Sequence, residues 1–323
     1  MNIFKHISFA FAGICALTAG AQTCEIPMTV APPYEGDVVS PKVEQRLESK
    51  LKSIVSRAGI VGAPGSQFFI SGRFDTGYAE LTSGPTPAHY VNTTLSFFIG
   101  DAESHKIFST LTLDLKGVGS TEEQAYNKAI SSINFNNPEF RQFVEAGKKK
   151  ILEYYNSNYP KILAKAKTAA SQRNYEEAMY YATQIPECCA GFGQAQQVIS
   201  SAYTARTAYE GDQLLSKAQA EWAADPTDEG ARRAYEYINQ IDPASPAATK
   251  AKQLGELMRK TVKSNWDFEN VQKYKDELAL KKQRMNNAAS IEKARIESAR
   301  AIGVAWAKAH SNRTVVYNYH RWY

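Results

Sequence analysis

Residues 90–119 read YVNTTLSFFIGDAESHKIFSTLTLDLKGVG, and apolar and polar side chains alternate along both halves of this segment. Such alternation is typical of antiparallel strands that bury one face and leave the other in water. The two halves are separated by residues 100–104, a polar stretch led by glycine that indicates a hairpin turn. A third alternating pattern covers residues 68–74. The pattern therefore predicts an antiparallel sheet of three strands.

A helical pattern stands on each side of this sheet. On the N-terminal side, Ser40 can cap a helix that has Pro41 in its first turn, and apolar residues then recur at helical spacing. On the C-terminal side, Ser120 and Glu123 have the spacing of a capping box. The order α-β-β-β-α predicts a two-layer domain over residues 41–134, with the helices on one face of the sheet.

Helical patterns dominate residues 137–310, and part of this region repeats itself. The segment ILAKA at 162–166 resembles LLSKA at 214–218, and residues 175–185 resemble residues 231–241 over their second half. Such self-similarity is typical of stacked helical hairpins. The sequence therefore predicts an α+β chain, in which the small two-layer domain precedes an all-α helical-repeat array. Breaks between its helices are predicted at residues 156–158, 173–174, 186, 211–212, 225–226 and 242–243.

One segment of the array resembles a known repeat family. Residues 174–178, NYEEA, are similar to the opening of the second helix of tetratricopeptide repeats. The characteristic Trp and Gly-Tyr positions of that family are absent here, and the two copies are spaced more widely than its usual ~34 residues. The resemblance implies a helical repeat and no particular ligand groove.

The end of the chain carries a long helical pattern and a tail. Residues 267–310 are predicted to form one long helix or two, and the aromatic, β-prone residues 311–323 form a tail that follows it. The helix is predicted to pack back on the array through a narrow face of small residues spaced three or four apart. This predicted face consists of Ala288, Ile291, Ala294, Ser298, Ala301 and Ala305.

The first 21 residues have the features of a cleavable secretory signal. Lys5 supplies a positive charge, residues 7–17 form a short apolar run, and residues 19–21 read AGA, the small-x-small pattern of a cleavage site. A cut before Gln22 resembles the exported proteins of the Bacteroidota, which implies a periplasmic, outer-membrane-associated or secreted protein. Residues 22–40 are rich in proline and are predicted to be a linker. No transmembrane segment is predicted after the signal.

Three cysteines follow the predicted signal, namely Cys24, Cys188 and Cys189. Disulfide frameworks are dense and have an even number of cysteines, so this set is not one. Three states stay open for the adjacent pair. Cys188 and Cys189 can form a disulfide with each other, one of them can pair with Cys24, or both can be thiols that pack as small apolar residues.

The sequence offers little chemistry of the kind that enzymes need. Its histidines have no familiar metal-ligand spacing, so no metal site is predicted. Gly117 and Gly119 lie between a strand and a helix, but Glu122 occupies the third glycine position of the dinucleotide fingerprint, so no cofactor is predicted. A net charge of +5, with acids and bases interleaved, excludes the clustered basic stripe of a nucleic-acid binder. These observations predict a protein that is not an enzyme.

The N-terminal unit resembles a group of envelope-assembly domains. Residues 117–126, GVGSTEEQAY, lead into the last helix of the α-β-β-β-α unit. In this they are similar to N-terminal domains of the curli-secretion, flagellar-assembly and small outer-membrane lipoprotein families. The resemblance implies an assembly module without catalytic residues.

The predicted function is therefore a protein–protein interaction scaffold, or an accessory of an envelope assembly, with a protein partner in the cell envelope. Tyrosine is enriched in protein interfaces, and each of the tyrosines named below can also belong to the packed core between helices. The alternative is a protein that binds a small ligand or a glycan in an aromatic cleft between the two domains. The binding surface predicted for the scaffold is the concave face of the array, near Tyr175, Tyr180, Tyr181, Tyr235 and Tyr237.

Overall fold

The fold was determined as a computed structural model. The described residues are 26–31, 39–57, 66–83, 87–134, 136–262 and 288–310. The predicted signal of residues 1–21, the tail of residues 311–323 and Cys24 lie outside these ranges. Within them, a small sheet near the N-terminus precedes a mostly helical region, which confirms the predicted α+β class.

The sheet has four strands where the sequence predicts three. Its strands follow chain order across the sheet, and β2, β3 and β4 are antiparallel as predicted. The extra strand is β1, which pairs parallel to β2 and lies inside the predicted linker of residues 22–40. The linker prediction was wrong for residues 28–30, because a strand of three residues is too short to show an alternation of apolar and polar side chains. The strands are β1 (Met28–Val30), β2 (Phe68–Leu81), β3 (His89–Asp101) and β4 (Lys106–Gly119).

One face of the sheet is covered by helices, as the alternation predicts. The apolar side chains of β3 on this face, such as Phe97 and Ile99, are fully buried. Leu47 of α1 (Pro41–Arg57) lies over Gly72, beside Phe97, and α2 (Glu122–Ser132) packs on β4. A third helix, α3 (Pro138–Ser171), covers the same face through the edge-to-face contact between Phe140 and Phe97, whose ring centroids are 5.6 Å apart.

The connection between β4 and α2 explains two sequence features. A Cβ atom on Gly117 would overlap the backbone carbonyl of Ala125, so glycine is required for α2 to lie this close to β4. The predicted capping box at Ser120 and Glu123 is displaced by one residue. Thr121 is the N-cap, and its side chain accepts a hydrogen bond from the backbone N–H of Gln124.

Two long helices, α3 and α5, are each followed by a short one. The predicted breaks at 156–158 and 211–212 are wrong, because α3 and α5 run through them. At the first, the side chain of Asn158 donates to the carbonyl of Tyr154 one turn earlier, which a helix accommodates. The repeated segments 162–166 and 214–218 lie in the C-terminal halves of α3 and α5. The remaining helices are α4 (Tyr175–Thr183), α5 (Phe192–Ala224), α6 (Asp228–Ile238), α7 (Ala247–Thr261) and α8 (Ala288–His310).

The buried side chains form two clusters. The first runs without interruption from the sheet through α1 and α2 into α3, α4 and the first half of α5, and it also includes Ala299 of α8. The second lies between the second half of α5, α6 and α7. The boundary predicted between residues 134 and 137 therefore falls inside one continuous core. The division into domains and the tetratricopeptide resemblance stay predictions.

Helix α8 packs back on the array, but through another face than the predicted one. Four residues of the predicted face, Ala294, Ser298, Ala301 and Ala305, are exposed, and the side chains of Ala288 and Ile291 lie outside the described part of the chain. The contact is made by Ala299 and Gly303 instead, and a Cβ atom on Gly303 would lie 2.8 Å from the backbone nitrogen of Tyr180.

Candidate interaction surface

The five tyrosines of the predicted surface lie in separate places. Tyr175 faces α5, Tyr180 lies beside α8, Tyr181 packs against the first core, and Tyr235 and Tyr237 belong to the second core. Tyr235 is 9% exposed and its hydroxyl lies against Gly255 of α7, so it fills a contact between helices. The structure does not bring the five together into one surface.

Tyr175 contributes to a cluster whose centre the sequence analysis missed. Its ring centroid lies 6.3 Å from that of Tyr209 on α5, and the guanidinium of Arg173 lies 5.2 Å from the Tyr209 centroid. Tyr209 is 39% exposed, one of few large apolar or aromatic side chains in the described residues that face water to this degree. We call Arg173, Tyr175 and Tyr209, together with the ion pairs of Arg206 beside them, the Tyr209 surface.

Arg206 forms ion pairs with two glutamates of the Tyr209 surface. Its Nε donates to Glu176 of α4 at 2.7 Å, and its Nη2 lies 2.8 Å from Glu210 of α5. Partial burial raises the pKa of the Glu210 carboxyl above its usual range, and the charge of Arg206 opposes this shift. The cation therefore joins the two helices at the edge of the aromatic cluster.

Arg173 has an unusual backbone conformation. It follows α3 with a φ of 64°, in the left-handed region that favours glycine, and the N–H of Asn174 donates to the carbonyl of Ala169 at 2.9 Å. A non-glycine residue costs about 1 kcal/mol in this conformation. The side chain offsets part of that cost because its guanidinium stacks on Tyr209. No sequence pattern indicates this pairing, since Arg173 and Tyr209 belong to different helical units.

The other predicted tyrosines belong to the junction between the sheet and the array. Tyr180 packs on Trp306 of α8 with ring centroids 6.1 Å apart. Burial, together with Glu103 in the turn between β3 and β4, raises the pKa of the Tyr180 hydroxyl. Tyr181 donates to Glu177 on its own helix at 2.9 Å.

A buried carboxylate lies at the centre of the junction. Asp101, at the end of β3, is fully buried and accepts a hydrogen bond from the hydroxyl of Tyr155 of α3 at 2.5 Å. The hydroxyl of Ser104 and the backbone N–H of Glu103 also donate to it, at 2.7 and 2.8 Å. Burial and the neighbouring charge of Asp101 raise the pKa of the Tyr155 hydroxyl. The hydroxyl therefore stays protonated and keeps donating.

The face of the sheet away from the helices carries a polar ladder that the sequence analysis did not identify. Arg73 donates to Asp75 at 2.7 Å through Nη2, and Asp75 also accepts from the hydroxyl of Ser96. Ser96 in turn lies 2.9 Å from the hydroxyl of Thr112. These partners satisfy one another across β2, β3 and β4, which is a common way to stabilise the wet face of a sheet.

The adjacent cysteines have different states. Cys188 is disulfide-bonded, whereas Cys189 is a free thiol that is 5% exposed. The two are therefore not joined to each other. Burial raises the pKa of the Cys189 thiol to about 11. A thiol with such a pKa is a poor nucleophile at neutral pH, because very little thiolate is present.

The described residues contain neither a metal site nor a membrane-spanning helix. No group of three His, Cys, Asp or Glu side chains in these ranges is arranged to hold a metal ion. The described helices also include none with both the length and the apolar character needed to cross a membrane.

Comparisons with known proteins give a partial likeness. No family model and no curated protein matches the chain. A minor lipoprotein from Acinetobacter baumannii is 17% identical with a TM-score of 0.26, and the match covers 38% of this chain and 94% of that one. A protein described as a lipoprotein from Caulobacter crescentus CB15 is 16% identical with a TM-score of 0.22, covering 38% of this chain and 82% of that one. These TM-scores are too low to support an inference about function.

Proposed function

We propose that this chain is a non-enzymatic protein-binding scaffold of the cell envelope, and that it binds its partner through the Tyr209 surface. The observation that carries the proposal is the exposed ring of Tyr209, held between Arg173 and Tyr175. Tyrosine and arginine are enriched among the residues that contribute most to protein–protein affinity. A side chain that is already held in place loses little entropy when a partner covers it, which favours binding further.

The state of the cysteines supports the other parts of the proposal. The disulfide at Cys188 fits an exported protein, because disulfides persist in oxidising compartments such as the periplasm. The raised pKa of Cys189 argues against a cysteine nucleophile. Together with the export features of residues 1–21, these observations favour an exported protein that does not use Cys189 as a nucleophile.

The packing of the junction favours the scaffold over the alternative glycan binder. An interdomain cleft needs open space between the sheet and the array, whereas Asp101 and Tyr155 are buried there and hydrogen-bonded to each other. Trp306 packs on Tyr180, and Trp222 packs against the second core. These two tryptophans therefore do not form a shared platform, and Trp266 and Trp322 lie outside the described residues.

The proposal is tested by crosslinking in intact cells, followed by affinity purification of the tagged chain from envelope fractions. We expect one or two envelope proteins in fixed ratio with the wild-type chain. The double variant Arg173→Ala/Tyr209→Ala is expected to recover them at least tenfold less, because losing such residues typically costs 2 kcal/mol or more. Circular dichroism of the purified variant checks that it still folds.

The matched control is Leu257→Ala. Leu257 is 53% exposed on α7, so this variant also removes an exposed apolar side chain but leaves the Tyr209 surface intact. Recovery of the same proteins with this control supports the proposal. Equal recovery with the double variant, or recovery of no other protein with the wild-type chain, contradicts it.

A further inference from the structure

We propose that the outer edge of β4 binds a second copy of this chain, and that the two β4 strands pair antiparallel across a two-fold axis. Strand β4 is the last in the sheet, so one side of its backbone pairs with β3 and the other side forms the edge of the sheet. No described residue outside β3 pairs with its backbone. An uncovered edge presents a row of N–H and C=O groups to which a further strand can bind.

This edge is long, and most of it is regular. Strand β4 has 14 residues, whereas β1 at the opposite edge has three. The pairing with β3 is irregular beside Phe108, and residues 109–119 then continue without a bulge. Proteins commonly protect an edge with short strands, bulges or prolines, and residues 109–119 have none of these features. This stretch can therefore accept another strand along its whole length.

The charges on this stretch select a second copy as the partner. Asp114 and Lys116 are both exposed, and they point to the same face of the sheet because they are two residues apart. The Asp114 carboxylate accepts a hydrogen bond from Thr94 at 3.0 Å, and neither charged residue has an ion-pair partner among the described side chains. Charged side chains also protect an edge against unrelated strands. Two identical strands in antiparallel pairing instead bring each charge opposite its counterpart.

One regular register achieves this match. Directly opposite residues of an antiparallel pair share a face, so a pair centred on Leu115 places Asp114 of each copy opposite Lys116 of the other. The alternative register, which places Asp114 opposite Lys106, runs through the irregularity at Phe108. The regular register therefore gives two cross-strand ion pairs and joins the two four-stranded sheets into one continuous sheet.

The same register accounts for an exposed apolar side chain. Val118 is 53% exposed although it lies within a strand. In the pair centred on Leu115, it lies opposite Thr112 of the second copy, on the face that carries the polar ladder. Side chains that lie directly opposite each other interact, and β-branched residues pack well on a pleated surface. A second copy therefore covers an apolar group that one copy leaves in water.

Charge reversal tests the pairing. Sedimentation equilibrium of the purified chain gives its mass over a range of concentrations, at low ionic strength because salt screens exposed charges. We expect a dimer that dissociates on dilution. Asp114→Lys and Lys116→Asp each place like charges opposite each other at both ion pairs, so each variant should bind itself about tenfold more weakly.

Two matched controls keep opposite charges together. The double variant Asp114→Lys/Lys116→Asp exchanges the charges within each copy, so it should dimerise as the wild-type chain does, and it shows that β4 tolerates both changes. An equimolar mixture of the two single variants combines a copy with two positive charges and a copy with two negative charges. It should form a heterodimer more readily than either variant forms a homodimer. Circular dichroism checks that each variant folds.

A second measurement detects the backbone pairing itself. Amide hydrogen exchange within residues 111–119 should be slower in concentrated than in dilute solution, whereas residues 97–99 in the centre of the sheet should not change. A chain that stays monomeric at every concentration overturns the proposal, as does a dimer that neither single variant weakens. A mixture without a heterodimer, or a dimer in which exchange of β4 does not depend on concentration, also overturns it.

Discussion

Replacing Tyr155 with phenylalanine tests whether the sheet and the array are held together by the buried hydrogen bond to Asp101. The ring is retained, so its edge-to-face contact with Phe68, with centroids 5.6 Å apart, is expected to survive. The variant loses the donor that lies 2.5 Å from a fully buried carboxylate. Hydrogen bonds to charged groups contribute about 1.5–3 kcal/mol, so we expect the free energy of unfolding to fall by about 2–3 kcal/mol.

The measurement is urea unfolding, followed by circular dichroism and by tryptophan fluorescence. Tyr154→Phe is the matched control, because it removes a phenol hydroxyl from the neighbouring, partly exposed ring, and it should cost less than about 1 kcal/mol. A double-mutant cycle of Tyr155→Phe with Asp101→Asn isolates the interaction. The two changes should be non-additive, with a coupling energy above about 1 kcal/mol.

The reasoning would be refuted if Tyr155→Phe lowered the free energy of unfolding no more than Tyr154→Phe does. So would strict additivity with Asp101→Asn, since it would mean that the hydroxyl and the carboxylate contribute independently. The expected result would show that the turn between β3 and β4 is held by the helical region through a polar contact and not by apolar packing alone.

Two further predictions concern single backbone positions. Gly117→Ala places a methyl group where the Ala125 carbonyl lies, so the free energy of unfolding, measured in urea, is expected to fall by several kcal/mol. Gly193 stands near the start of α5 with open space where a Cβ atom would lie, so Gly193→Ala should raise the free energy of unfolding by up to about 1 kcal/mol. Equal effects of the two would contradict the packing argument. Arg173→Gly removes the cost of the left-handed backbone conformation but also loses the stacking on Tyr209. Each effect is worth about 1 kcal/mol, so the two should nearly cancel in the free energy of unfolding. Arg173→Ala loses the stacking and keeps the backbone cost, so it should be the less stable variant in the same assay.

The sheet could be predicted from the sequence because its signal is local. Alternation of side chains along residues 90–119 reports directly which face is buried, and the structure buries Val91, Leu95, Phe97 and Ile99 on that face. Strand β1 could not be predicted in the same way. Its three residues carry no period, and its partner, Phe68–Ile70, lies far along the chain.

The helix breaks were overpredicted because polar residues do not by themselves end a helix. Asn156, Ser157 and Asn158 lie inside α3, and the side chains of Ser157 and Asn158 bond to carbonyls one turn earlier. Pro160 is also inside α3, where the sequence would place a boundary. The apolar contacts of α3 with the sheet and with α4 outweigh the low helix propensity of these four residues.

The candidate surface could be predicted only in part. Tyr175 is named by the sequence analysis because it opens the repeated segment, whereas Tyr209 and Arg173 carry no periodic signal. Their contact depends on how α3, α4 and α5 meet, and it is visible only once the helices are packed. Tyr235 is the opposite case, because its place in a repeat predicts exposure on a groove and the structure buries it against α7.

Helix α8 shows which small residues indicate close packing of a helix on its neighbours. Alanine is the best helix former, so it is frequent on exposed faces as well as in contacts, and Ala294, Ala301 and Ala305 are exposed. Glycine lowers helix stability by about 1 kcal/mol relative to alanine, so a glycine inside a helix often marks a close contact. Gly303 marks such a contact, because a Cβ atom there would meet the backbone of Tyr180.

The same holds for the glycines at the other helix contacts. A Cβ atom on Gly147 would lie 2.8 Å from Ile99 of the sheet, and one on Gly255 would lie 2.5 Å from the hydroxyl of Tyr235. Gly193 has nothing within 4 Å, but it stands in the first turn of α5, where the helix is least constrained. In a helical array of this kind, an interior glycine is therefore a better guide to the packed face than a row of alanines, and the face of α8 would have been assigned correctly from Gly303.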